Sequence, residues 1–140
     1  MMDIPNILRF MHPDAIWSVG EDYDSLRWPE QVVNKPTLEE ITEAETGYNE
    51  KIIFNSFKIS VQSLIEKVAE YKQYQSALHC TSYATSTNIQ WKAEAQVFIA
   101  WRDAVWNYLY AQLVLIMNKT RPIPTVAQLN AELPVIQWPI

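Results

Sequence analysis

The sequence predicts a mainly α fold: a long antiparallel helical hairpin with a small N-terminal β-hairpin and a short C-terminal helix. Prolines stand at 5, 13, 29, 36, 122, 124, 134 and 139, so the 85 residues from Thr37 to Arg121 contain none. Proline costs about 3 kcal/mol inside a helix, and a long proline-free interior between proline-rich ends therefore reads as a helical body. Two capping boxes inside that body, Thr37-Leu38-Glu39-Glu40 and Thr87-Asn88-Ile89-Gln90, mark two helix starts. The small polar run Cys80-Thr81-Ser82-Tyr83-Ala84-Thr85-Ser86 between them reads as a connection. The expected organisation is a β-hairpin module over 1–36, a helical hairpin over 37–121, and a short helix with an extended apolar tail over 122–140.

The N-terminal module rests on alternation. Ile7-Leu8-Arg9-Phe10-Met11 alternates weakly and Ala15-Ile16-Trp17-Ser18-Val19 alternates better. Turn formers fill Gly20-Glu21-Asp22-Tyr23-Asp24-Ser25, and Leu26-Arg27-Trp28 is placed to return as a second strand. An isolated hairpin is marginal in water, so this one must lean on something.

Helix one is expected from Thr37 to about Leu78. Acids at 39, 40 and 43 suit the positive end of its dipole. Apolar positions 38, 41, 48 and 52, then 61, 64, 65, 68 and 71, keep helical spacing. The β-prone stretch Ile52-Ile53-Phe54-Asn55-Ser56-Phe57 interrupts the stripe and leaves open a kink or break. Helix two, from Thr87 to about Asn118, carries one stripe of Trp91, Ala95, Phe98, Val105, Leu109 and Leu113. A second stripe is Val97, Trp101, Ala104, Tyr108 and Leu115, with Lys92, Gln96, Asp103 and Asn107 as a narrow polar strip between. Phe98, Trp101 and Val105 are the expected lock on helix one. So broad an apolar circumference belongs to a central helix or to one shared with a partner, and self-association is the expectation. A third capping box, Thr125-Val126-Ala127-Gln128, opens a short helix that Pro134 must stop.

Composition excludes several functions. Two glycines, where average usage of about 7% would give roughly ten, leave nothing for phosphate loops or dinucleotide fingerprints. One cysteine, Cys80, forbids an internal disulfide and a zinc ribbon. The net charge of −5 argues against nucleic acid. Charge is also segregated: residues 1–50 hold eleven acids and three bases, residues 51–140 five acids and eight bases. The acidic half either faces water or lies against the basic half of a neighbouring copy. Met1 to Asn6 does not read as a secretory start. The most apolar run, Ala104 to Met117, is fourteen residues where a membrane span needs about twenty. A soluble protein of a reducing cytoplasm is expected, with no cofactor.

Catalytic groups are scarce. His79 neighbours Cys80, but adjacent helical residues point about 100° apart and do not face one another. Glu39, Glu40 and Glu43 are accounted for by capping. No enzyme is expected. Six tryptophans, Trp17, Trp28, Trp91, Trp101, Trp106 and Trp138, are the unusual feature. Trp17, Trp28 and Trp138 sit in proline-flanked, irregular ends, and tryptophan, tyrosine and arginine dominate interface hot spots. Arg102 and Trp106 stand at i, i+4, within reach of a cation–π stack.

The segment Trp101-Arg102-Asp103-Ala104-Val105-Trp106-Asn107-Tyr108 resembles the C-terminal module of small tail-associated proteins of tailed bacteriophages, which include tail fibre assembly chaperones. Arg121-Pro122-Ile123-Pro124-Thr125-Val126, Leu129, Glu132-Leu133-Pro134 and Trp138-Pro139 extend the resemblance. So do Asp14-Ala15-Ile16-Trp17-Ser18-Val19, Tyr23, Leu26-Arg27-Trp28 and Lys35-Pro36-Thr37-Leu38-Glu39-Glu40-Ile41. It covers both ends, roughly half the chain, and nothing over 50–90. The resemblance implies a non-enzymatic factor for a tail fibre protein, acting in the host cytoplasm during assembly. A structural adaptor retained in the virion tail is the alternative. Trp17, Tyr23, Trp28, Arg102, Trp106 and Trp138 are the expected partner contacts.

Overall fold

Asp3 opens the first helix, its carboxylate accepting the backbone N–H of Asn6 (3.3 Å) and the Asn6 amide (2.8 Å). The computed structural model describes residues 2–140. Among them are five α-helices: α1 (Ile4–Met11), α2 (Leu38–Tyr71), α3 (Ala77–Thr81), α4 (Ile89–Met117) and α5 (Val126–Glu132). The chain divides into two compact units, 1–53 and 54–140, and the boundary falls within α2. No helix is long and apolar enough to cross a membrane among the described residues.

The mainly α class holds, but the N-terminal β-hairpin does not form. The weakly alternating stretch 7–11 is helical and lies in α1. Pro5 stands in the first turn, where its missing N–H costs nothing, and Ile4, Ile7 and Leu8 bury one face at i, i+3, i+4 spacing. Of the expected pairing between 15–19 and 26–28 only an isolated antiparallel bridge forms, Ser18 with Arg27, exchanging N–H···O bonds of 3.1 and 2.8 Å. The ladder stops at both ends for identifiable reasons. The next hydrogen-bonded pair outward would join Ile16 to residue 29, which is proline and has no N–H to give. The Gln31 side chain takes both backbone groups of Ile16 instead, at 2.9 and 2.8 Å. The next pair inward would join Gly20 to Ser25, but Gly20 N–H donates to Ser25 Oγ (2.7 Å). A 3₁₀ turn over Tyr23–Ser25, capped by Asp22, occupies the loop. The core of this unit is Ile4, Ile7, Leu8, Leu26 and Ile41, with Trp17, Val19, Tyr23 and Trp28 packed on it.

The Thr37 capping box is present: Glu40 N–H donates to Thr37 Oγ1 (3.1 Å) and Thr37 N–H to Glu40 Oε2 (2.7 Å). The helix then runs unbroken through 52–57. Tertiary burial overrides the β propensity of that stretch: Phe57 is fully buried and begins the row Phe57, Val61, Ile65, Ala69. The helix ends at Tyr71, earlier than Leu78, in a Schellman turn. Tyr74 N–H donates to Ala69 O (3.0 Å), Gln73 N–H donates to Glu70 O (2.8 Å), and Gln73 takes φ 73°. The same motif closes α4, with Lys119 at φ 61°. The expected polar connection is itself helical: Ser76 caps α3 and a 3₁₀ turn covers Ser82–Thr85, with Cys80 fully buried.

The cap of α4 is Asn88, not Thr87; its side chain accepts Trp91 N–H at 3.1 Å. Contacts between α4 and the later part of α2 run in antiparallel order. The Lys58 ammonium lies 5.8 Å above the Tyr110 ring, while Lys72 reaches Glu94. Buried on α4 are Ala95, Phe98, Trp101, Val105, Leu109, Leu113 and Ile116, one stripe that draws Trp101 from the second expected row. Trp91 from the first row is exposed, as are Ala104 and Leu115 from the second. The Thr125 capping box is complete, and α5 buries Leu129. Asn130 donates to Ser60 Oγ (2.7 Å), tying α5 to α2, and Arg121 pairs with Glu132 (2.8 Å). Trp101 Nε1–H donates to Pro134 O (2.8 Å), fixing the start of the extended tail.

Candidate functional site

The aromatic residues of the N-terminal unit are occupied at home. Trp17 lies half-buried with the Arg9 guanidinium 5.4 Å from its ring. Tyr23 Oη donates to Pro36 O (2.9 Å), and Lys35 sits 5.1 Å over its ring. Trp28 Nε1–H donates to Val33 O (2.9 Å), with the His12 ring edge-on at 5.9 Å. Segments with little secondary structure nevertheless fold these rings onto α1. Trp138 is likewise engaged, stacked on Phe98 at 6.2 Å and beneath the Lys72 ammonium at 5.3 Å.

The Arg102–Trp106 stack is replaced by two other contacts. Arg102 directs Nε (3.0 Å) and a terminal nitrogen (2.8 Å) at Oδ1 of its neighbour Asp103. Trp106 instead stacks on Tyr110 at 5.8 Å and 27°. That pair begins a row at i, i+4, i+8 and i+11 in which Tyr110 (51%), Val114 (48%) and Met117 (52%) are exposed. At 100° per residue the row lies roughly a third of a turn around α4 from the buried stripe. It is an apolar flank left uncovered.

A second site sits where α2 turns toward α4. A cleft of about 790 Å³ is bordered by Tyr74, His79, Tyr83, Trp91, Lys72 and Glu94. Glu94 is a charged residue only 5% exposed. Its Oε2 accepts the Tyr74 hydroxyl at 2.7 Å; its Oε1 accepts the Gln90 amide at 3.2 Å and faces Lys72 Nζ at 3.5 Å. Burial alone would raise its pKa, but the bonds from Tyr74 and Gln90 and the Lys72 charge outweigh that and hold it below the usual glutamate range. Tyr74 moves the other way, pushed well above a free tyrosine by burial, then by its bond to Glu94 and by that residue's charge. The rings of Tyr74, His79, Tyr83 and Trp91 form one continuous wall with neighbouring centroids 5.2–5.9 Å apart. The sequence carried one signal for this site: Glu94 stands four, seven and eleven residues before Phe98, Trp101 and Val105, an acid in register with an apolar stripe.

His79 and Cys80 do not form a nucleophile pair. The imidazole Nδ1 accepts Gln75 N–H (3.0 Å) and Nε2 faces Tyr83 Oη (3.3 Å). Cys80 points inward, and burial, with a smaller contribution from the Glu94 charge, pushes its thiol up to about 11. Among the described residues, no group of three or more His, Cys, Asp or Glu is placed to hold a metal ion. No family model, no curated protein and no solved structure matches the chain.

Proposed function

We propose that this chain is a non-enzymatic, protein-binding assembly factor for a tail fibre of a tailed bacteriophage. It masks the apolar surface of an immature fibre protein and releases it as the fibre trimer closes. One observation carries the reading: the α4 segment that bears the resemblance continues directly, through half-buried Trp106, into the exposed row Tyr110, Val114 and Met117. Aromatic and methionine side chains suit such a role, because they bury large areas at low entropy cost and adapt to irregular client surfaces. The engaged positions of Trp17, Tyr23 and Trp28 move the proposed contact surface from the N-terminal aromatics to this flank.

Binding must be passive. Mass action then requires a higher affinity for the immature client than for the finished trimer, since equal affinity would shift nothing. Co-expression with a tail fibre protein of the same phage, with and without this chain, tests the proposal. The expected outcome is more soluble, correctly folded trimer in its presence; equal yields contradict it. A fixed copy number in purified virions would favour a retained adaptor instead.

A further inference from the structure

We propose that the cleft between the end of α2 and the start of α4 is a guanidinium site that takes an arginine side chain of a partner polypeptide, its charge on Glu94 and its plane against Tyr83 and Trp91. Three observations carry this. First, Glu94 is a nearly buried carboxylate, and a protein keeps such a charge only with close partners. Tyr74 and Gln90 supply hydrogen bonds, and Lys72 supplies the charge from farther off. Lys72 Nζ stands at 3.5 Å, beyond the 2.7–2.9 Å of a tight charge-assisted bond, and its ammonium is shared with the Trp138 ring. Second, a carboxylate offers about four acceptor positions, and the three donors named leave one on Oε2. Third, rings line the cleft that Glu94 borders. Tyr83 and Trp91 meet at 5.3 Å, and Trp91 is 47% exposed at the outer edge. A ring wall leading to a carboxylate suits a flat, weakly hydrated cation, which stacks as it pairs.

Lys72 is then a displaceable internal plug, which gives the proposal a sign that a structural ion pair lacks. Removing Lys72 should tighten binding, whereas removing the Glu94 charge should weaken it. The site stands independently of the tail-fibre reading: a failed co-expression experiment leaves it intact, and its own failure leaves that reading intact.

The test is a chemical-shift titration of the full chain, followed at the Trp91 indole, with N-acetyl-arginine-amide, its neutral isostere N-acetyl-citrulline-amide, and free arginine. The expected result is saturable binding of the blocked arginine, with the citrulline compound at least about tenfold weaker. Glu94→Gln should weaken arginine binding by at least about tenfold, Trp91→Ala by several-fold, and Lys72→Met should strengthen it by several-fold. If Glu94→Gln fails to fold, the opposite signs of Trp91→Ala and Lys72→Met decide. Equal binding of arginine and citrulline compounds overturns the proposal in favour of a cleft for neutral ligands. Weaker binding by folded Lys72→Met, or no binding by wild type, also overturns it. Tighter binding of free arginine than of the blocked form assigns the site to a small molecule and overturns its polypeptide source.

Discussion

Trp101 shows what single side chains contribute here. Its ring packs tilted against Phe98 at 5.6 Å, and its indole N–H donates to Pro134 O at 2.8 Å. Trp101→Ala therefore removes core volume and the anchor of the tail together. Truncating a buried aromatic costs about 3–5 kcal/mol, so the thermal midpoint should fall by at least ten degrees or so; an unchanged midpoint contradicts the assignment. Cys80 gives a second check. With its thiol raised by burial and no path to solvent, it should resist thiol reagents at pH 8 in the native chain and react fully in denaturant. Rapid native labelling would contradict its placement. Glu94 sets the acid limb of stability. Its folded pKa is depressed, so its contribution is fully present above the unfolded glutamate value and is lost as pH falls through the folded value. Urea denaturation from pH 7 to 3 should show a shallower fall for Glu94→Gln than for wild type; parallel curves would contradict the network. Trp101 was legible as a core residue from its place in the apolar pattern of α4; the Tyr74–Glu94 pair was not, because its members are twenty residues apart and meet only through the turn after α2.

At the scale of elements, the three capping signals were legible because they are local. Thr37 and Thr125 cap as their sequences indicate, and the third cap shifts by one residue to Asn88. Asn88→Ala should cost about 1 kcal/mol, whereas Thr87→Ala should stay within about 0.5 kcal/mol; equal effects would contradict the cap. The Schellman turns were not legible, since a left-handed position is normally signalled by glycine and here is held by Gln73 and Lys119. A non-glycine residue there stores strain, so Gln73→Gly should raise stability by up to about 1 kcal/mol in urea denaturation. The N-terminal hairpin failed as an expectation for equally local reasons. Alternation suggested strands, but Asp3 and Pro5 start a helix, and Pro29 removes the donor the ladder needs.

For the molecule as a whole, charge segregation and the α4 flank act together. Divided at Ile53, the first unit carries eleven acids against four bases and the second five against seven. Exposed Tyr110, Val114 and Met117 give the second unit an apolar row on which a second copy could pack. Light scattering after size-exclusion chromatography should therefore find species larger than 16.3 kDa at micromolar concentration; a clean monomer contradicts self-association. The helical body could be read from its proline-free interior, but which α4 flank stays open depended on where α2 and α5 pack.

The proposed assembly of a fibre through the exposed α4 flank can be probed with the triple variant Tyr110→Ser, Val114→Ser, Met117→Ser co-expressed with the client fibre protein. These side chains are half-exposed, so helix content by circular dichroism should match wild type. Soluble fibre trimer should then fall to the level seen with no factor present. Undiminished trimer with the folded triple variant would contradict it.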